Sequence, residues 1–188
     1  MSTIVAVSKN GVAVLAWDQL WTTGSIRTLN IVGRTKVRRI GKALVGTCGF
    51  AVYNNLFQHY LRSNEPEPLT DESSIFDFFL RFWRALRSDY HMVNQMDEDS
   101  PSPFANLDSE FIVANEHGIF IVKEILSVGR FERFCVIGSG AAHAEGALSV
   151  LYDQNENAKG IAETAVRVAS DFDRHTGSDI DSLEVPML

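Results

Sequence analysis

The 188-residue sequence has only two cysteines and five prolines, and no apolar run reaches the roughly 18 residues that a membrane span needs. Cys48 and Cys135 both sit inside apolar, strand-like segments, which excludes a disulfide framework and points to a reducing compartment. No secretory pattern precedes the first strand, so the expected setting is soluble and cytoplasmic, with no membrane partner. Basic residues are scarce: 17 Lys and Arg face 24 Asp and Glu, a net charge of -7. The one basic cluster, Lys36-Val37-Arg38-Arg39, is short and interleaved with valine, and no nucleic-acid partner is expected. His143 and His175 lack metal-ligand spacing, and neither a metal nor a cofactor is expected.

What remains is an ordinary globular composition, 45% apolar and 22% charged. Its length suits one domain over residues 1–188. Residues 3–8 alternate as a strand, Asn10-Gly11 predicts a hairpin turn, and residues 12–17 return as a strand apolar enough to be buried on both faces. Residues 21–25 read as a turn rich in Thr and Gly. Short strands are expected over 37–40 and 43–48, joined by Gly41-Lys42.

At Gly49 the apolar period changes. Phe50, Tyr53, Leu56, Phe57, Tyr60 and Leu61 recur at helical spacing, and Ile75, Phe79, Phe82, Trp83, Leu86 and Tyr90 mark a second helix capped by Thr70-Asp71-Glu72. That second helix also carries Phe76 and Phe78, and its breadth suggests packing on more than one side. Residues 97–108 (DEDSPSPFANLD) read as an acidic flexible loop. A hairpin follows over 111–122, then a strand over 134–137 and helices over 141–152 and 158–175. Asn157 would start the last helix and Gly177 end it, with an edge strand at 180–185. Strands joined by hairpins make antiparallel sheets. Strands, two helices, strands and two helices predict an α+β, four-layer αββα sandwich of two antiparallel sheets flanked by helix pairs.

A serine hydroxyl is a weak nucleophile unless a base takes its proton. Once Met1 is removed, Ser2 carries a free α-amine, which titrates near about 7.7 to 8.0 and can accept that proton. Such a site also needs a cation, a carboxylate to hold it, and a backbone N–H for the oxyanion. Lys36, Asp18 and Gly49 are the candidates, with Gly49 at a strand-to-helix switch where its N–H can face a carbonyl oxygen.

Residues 2–7 with Asn10-Gly11, Ala16-Trp17-Asp18, Thr22, residues 36–39, Gly46-Thr47-Cys48-Gly49, Ile137-Gly138-Ser139-Gly140 and Asp173-Arg174-His175-Thr176-Gly177 resemble the proteasome β-subunit family and its bacterial relative HslV. The resemblance runs from Ser2 to about Glu184. It implies an N-terminal-nucleophile hydrolase fold in which Ser2 replaces the family's threonine, Asp18 and Lys36 are the acid–lysine couple, and Gly49 is the oxyanion donor. It further implies that Ser139, Asp173 and Thr176 orient the amine. Thr22 would pair with substrate backbone, and Trp21, Thr47 and Cys48 would shape the pocket for the residue before the cut.

The implied activity is that of a self-compartmentalising peptidase acting on peptides and unfolded proteins, a homo-oligomer in stacked rings, with an ATP-dependent unfoldase as a candidate partner. Serine lacks the methyl that restricts threonine's rotamer. Trp17 stands where the family has a small residue, and the acidic loop is longer than in HslV, which points toward the bacterial proteasome homologues.

Two other functions fit the same resemblance: an inactive ring acting as scaffold or binding chamber, and a small-molecule amidase sharing the catalytic device. Each residue also has a plainer role. Asp18 can cap a turn, Lys36 can be a solvated strand lysine, Ser139 can cap a helix, and Asp173 can pair with Arg174 or Lys159. Both cysteines can be small core residues.

Overall fold

Strands β1 (Thr3–Lys9) and β2 (Val12–Asp18) form as the alternation predicts in the computed structural model, which describes residues 2–23, 26–28, 31, 35–64, 67–92 and 107–188. Asn10 and Gly11 both take positive φ, 54° and 76°, the backbone that a two-residue hairpin turn requires. The near-continuous apolar character of β1 and β2 has a simple cause, because both faces are covered. Ile4, Ala6, Leu15 and Trp17 point to one core, while Val5, Val7, Val14 and Ala16 point to another.

The first sheet has four antiparallel strands, with β1 and β2 at its centre. At its edges lie β10 (Phe134–Gly138), against β1, and β11 (Ile180–Pro186), against β2. The second sheet runs β5 (Val37–Ile40), β6 (Ala43–Gly49), β7 (Ser109–Asn115), β8 (Gly118–Val122) and β9 (Val128–Phe131), antiparallel throughout. Between the sheets, Ile4, Leu15 and Trp17 meet Leu44, Ile112 and Ile121.

Helices α1 (Ala51–Ser63) and α2 (Glu72–Ser88) cover the outer face of the second sheet. Helices α3 (Ala141–Leu151) and α4 (Ala158–Phe172) cover the outer face of the first. The layers therefore run helix pair, sheet, sheet, helix pair. The α1–α2 layer is held by an aromatic cluster. Phe57 stacks on Phe79 and meets Phe82 edge-on at 5.1 Å, and Phe111 of β7 lies 5.3 Å away. Each such pair adds about 0.5–1.5 kcal/mol beyond its area burial.

The chain starts α2 with a reciprocal cap. Asp71 Oδ1 accepts the Ser74 N–H at 2.8 Å, and Ser74 Oγ accepts the Asp71 N–H at 3.1 Å. Its broad apolar surface divides: Ile75, Phe78, Phe79 and Phe82 are buried, and Phe76 is 39% exposed.

Three elements differ from the sequence-based expectation. The expected turn at 21–25 begins as a strand. Trp21–Thr23 (β3) pairs with Ile26–Thr28 (β4), since aromatic and β-branched side chains favour extended backbone over the turn that their polar hydroxyls suggested. Strand β9, short and exposed, left no apolar alternation to detect. Helix α4 ends at Phe172, not at residue 175, because the carboxylate of the C-cap Asp173 accepts the His175 N–H (3.1 Å) and turns the chain away. Of the expected acidic loop, residues 97–106 lie outside the described residues, and Leu107 is fully buried. Among the described residues no helix is long and apolar enough to cross a membrane.

Candidate active site

The beginning of β1 is unusually well fixed. The Ser2 carbonyl accepts the Ser139 N–H at 2.9 Å, and the next N–H, that of Thr3, donates to Asp18 Oδ1 at 2.9 Å. The peptide unit after Ser2 is thus gripped from both sides. The grip requires Gly138, whose φ is +101° and whose absent Cβ would overlap the Ser2 carbonyl. Ser2 itself is 7% exposed.

Asp18, at the end of β2, is fully buried and occupied on both oxygens. Oδ2 accepts the N–H groups of Leu20 and Gly177 at 3.0 Å each and lies 2.8 Å from Lys36 Nζ. Asp18 does cap a turn, through Leu20, but it also bonds the first strand, the segment after α4 and a lysine. Gly177 serves as one of these donors and not as a helix cap. Lys36 is no solvated strand lysine. Its carbonyl accepts the Thr47 N–H at 2.9 Å, continuing the β5–β6 ladder, and its side chain is 4% exposed. Burial lowers its pKa, with the adjacent Asp18 carboxylate opposing that shift.

A cavity of about 420 Å3 opens beside this pair, lined by Ser2, Lys36, Trp21, Thr22, Thr47 and Gly49, with Leu20, Phe50, Ala51, Asn54, Asp108 and His175 completing its wall. Gly49 has φ +149°, and a Cβ there would overlap Ser109 Oγ and stand 2.6 Å from the Asp108 carbonyl oxygen. Only glycine lets β6 pass this point into α1.

Cys48 does not line the cavity. It adjoins Thr47 on a strand, so the two side chains point to opposite faces, and Cys48 is buried between the sheets with Sγ 3.9 Å from the Ile137 carbonyl oxygen. Burial pushes its thiol up to about 12, with Lys36 partly opposing. The core role expected of a small apolar residue is the one Cys48 occupies.

Ser139, Asp173 and Thr176 meet next to this site. Asp173 Oδ2 accepts the Ser139 hydroxyl at 2.6 Å and the Thr176 hydroxyl at 2.7 Å, and Oδ1 accepts the His175 N–H. Burial disfavours the Asp173 charge, but the hydroxyls of Ser139 and Thr176, with the His175 N–H and ring, outweigh it and hold the carboxyl below its ordinary range. Ser139 is therefore not a helix cap; the N-cap of α3 is Gly140. Nor does Asp173 pair with either expected cation. Arg174 Nε donates to His175 Nε2 at 3.0 Å, and Lys159 lies 3.8 Å from Glu163.

Sequence reasoning missed Asn54 and His175 in the wall. Asn54 lies on the inner face of α1, and Arg38 Nη2 donates to its Oδ1 at 2.6 Å. Nothing in a helical apolar pattern marks such a residue. His175 adjoins Thr176, and that adjacency was the one available signal. Among the described residues no group of three or more His, Cys, Asp or Glu is arranged to hold a metal ion.

No family model matches the chain. It is 28% identical to the ATP-dependent protease subunit HslV of Hyphomonas neptunium, over 98% of this chain and 93% of that one. Among solved structures, BPH of Thiobacillus denitrificans superposes with a TM-score of 0.88 at 26% identity, covering 98% of this chain and 97% of that one. The same protein in complex with epoxomicin gives 0.89 at 25%, covering 98% of both chains. The chain is similar to proteins of the proteasome β-subunit/HslV family. HslV from Trypanosoma brucei shares its fold, with a TM-score of 0.72 at 22% identity over 98% of this chain and 99% of that one. The four-layer sandwich is that of these proteasome-like proteins.

Proposed function

We propose that the chain is a self-compartmentalising peptidase subunit whose nucleophile is Ser2, freed by removal of Met1. One observation carries this reading. Lys36, 2.8 Å from the buried Asp18, lines the same cavity as Ser2, while Asp18 also grips the N–H of the following residue.

The Ser2 α-amine takes the hydroxyl proton as Oγ attacks the carbonyl carbon of a peptide bond. Positioned proton transfer of this kind contributes about 10²–10⁴-fold. The Lys36 cation beside the amine disfavours the ammonium form, so more of the amine is available as base. The Gly49 N–H holds the oxyanion; one such donor is worth about 10²–10³ in kcat. The ammonium then protonates the leaving amine, giving an ester on Ser2. Water, activated by the same amine, attacks that ester and releases the acid. Ser139, Asp173 and Thr176 orient the amine, and Trp21, Thr22 and Thr47 contact the substrate.

The HslV relative is a subunit of an ATP-dependent protease, and that likeness supports a reading of stacked homo-oligomeric rings acting on unfolded protein, with an ATP-driven unfoldase as a candidate partner. Phe76, exposed on α2, is a candidate ring contact.

The test combines three measurements on the purified full chain. Intact mass and N-terminal sequencing read the start of the mature chain, which should be Ser2. A fluorogenic peptide series reads hydrolysis, which Ser2→Ala should abolish. Epoxomicin, the compound bound to the BPH relative, should form a covalent adduct mapped to the N-terminal peptide. A chain beginning at Ser2 whose Ser2→Ala variant cleaves at the wild-type rate would eliminate this nucleophile. Monomers in light scattering at micromolar concentration would eliminate the ring.

A further inference from the structure

Thr3 has no role in the chemistry outlined above, yet it is fully buried and polar, and it bonds toward both carboxylates of the site. Its N–H donates to Asp18 Oδ1 at 2.9 Å, and its Oγ1 lies 2.6 Å from Thr176 Oγ1. The direction of this second bond can be deduced. Thr176 has one hydroxyl proton, and it goes to Asp173 Oδ2 at 2.7 Å. A carboxylate held below its ordinary range is ionised and only accepts. Thr3 is therefore the donor to Thr176, and a single directed chain runs Thr3 O–H to Thr176 O–H to Asp173, with Ser139 O–H arriving at the same oxygen (2.6 Å).

The fold makes room for this hydroxyl. Gly140 has φ -87°, a backbone open to any residue. Yet a Cβ there would collide with Thr3 Oγ1 and stand 3.0 Å from Thr176 Oγ1. Glycine at 140 is thus required by space at the hydroxyl pair and not by backbone conformation. Valine at position 3 would match the shape of threonine but would leave the Thr176 oxygen without its donor.

We infer that Thr3 is a positioning residue: its hydroxyl ties the residue after Ser2 to the Asp173–Thr176 turn and so fixes the start of the chain against the polar network beside it. The tether rests on Ser2 being the nucleophile. It acts through geometry, because Asp18 and the Ser139 N–H hold the backbone on either side of the Ser2–Thr3 peptide, and the Thr3 side chain bonds directly to Thr176 in the turn that carries His175. Displacing a reacting group by an ångström can cost about 100-fold in rate.

Thr3→Val, Thr3→Ala and Thr3→Ser are compared with wild type on the same fluorogenic peptide. Both variants without a hydroxyl should lose about 10- to 100-fold in kcat with KM within about twofold, while Thr3→Ser stays within about threefold of wild type. Amide exchange over residues 173–177, followed by mass spectrometry, should accelerate in Thr3→Val and stay near wild type in Thr3→Ser. Wild-type kcat in either folded hydroxyl-free variant would overturn the positioning role, as would an equal loss in Thr3→Ser. If the wild-type chain cleaves no peptide, the nucleophile assignment fails by itself. The exchange measurement then still judges the tether, which is refuted by unchanged exchange in Thr3→Val.

Discussion

Lys36 Nζ stands 2.8 Å from Asp18 Oδ2 with both side chains removed from solvent, and the same carboxylate accepts three backbone N–H groups, from Thr3, Leu20 and Gly177. The pair therefore does two jobs at once. It sets the Lys36 amine at the wall of the cavity, and it pins together segments that lie up to 159 residues apart in the chain.

The two partners of this pair should differ in what their loss costs. Asp18→Asn leaves a buried ammonium without its counter-charge, and stability should fall by about 3–5 kcal/mol. Lys36→Met leaves a carboxylate that still accepts three N–H groups, so its stability loss should be smaller, while peptide cleavage should vanish. Urea unfolding at fixed protein concentration measures both. An Asp18→Asn chain as stable as wild type would contradict the shared role of this carboxylate.

Gly49→Ala should be damaging for two separable reasons. Its φ of +149° is strained for any L side chain, and the new Cβ would overlap Ser109 Oγ. The expected result is a folded but destabilised chain, its unfolding midpoint shifted down by more than that of an alanine placed at exposed Gly146, where nothing lies within 4 Å of a Cβ. Equal midpoints for the two substitutions would show that the β6–α1 passage tolerates a side chain.

Neither cysteine should react in the native protein. Burial raises the Cys48 thiol to about 12 and the Cys135 thiol further, so thiolate is scarce at neutral pH and neither sulfur is reachable. Iodoacetamide at pH 8 should add nothing to the folded chain and label both thiols after unfolding in guanidinium, as read by intact mass. Rapid native labelling at Cys48 would mean that the sheets open near the site.

The Asp173 network should contribute stability at neutral pH and lose it in acid. Its carboxyl is depressed in the folded state, so the contribution is full above the ordinary carboxylate pKa of about 3.9 and disappears as pH falls through the lower folded value. The difference in urea midpoint between wild type and Asp173→Asn should be largest near pH 7 and shrink below about pH 4. A difference that stays constant down to acid would show that the Ser139 and Thr176 hydroxyls do not favour the ionised form.

Much of the layering was legible because the periods were clean. Alternation over 3–8, helical spacing over 50–61 and 75–90, and the Asn10-Gly11 and Asn115–Gly118 turns are local signals set by which faces meet a core. The turn expected at 21–25 misled because threonine hydroxyls resemble turn chemistry, and the end of α4 misled because the Asp173 cap acts through its side chain. Pocket membership was harder still. Thr47 and Cys48 are neighbours in the chain but lie on opposite faces of β6, and only the packing of a second sheet decides which face carries a cavity.

The sequence by itself determined the sandwich and the residue types gathered at the chain's beginning, because hydrophobic period, glycine punctuation and turn chemistry act over a few residues. The tertiary structure alone decided that Asn54 and His175 share a wall with Ser2, that Gly177 serves Asp18 and not a helix, and that the Thr3 hydroxyl points at Thr176. Those relationships join residues up to 173 positions apart, and no local preference encodes them. They exist only once two sheets close on one another and buried donors must find acceptors.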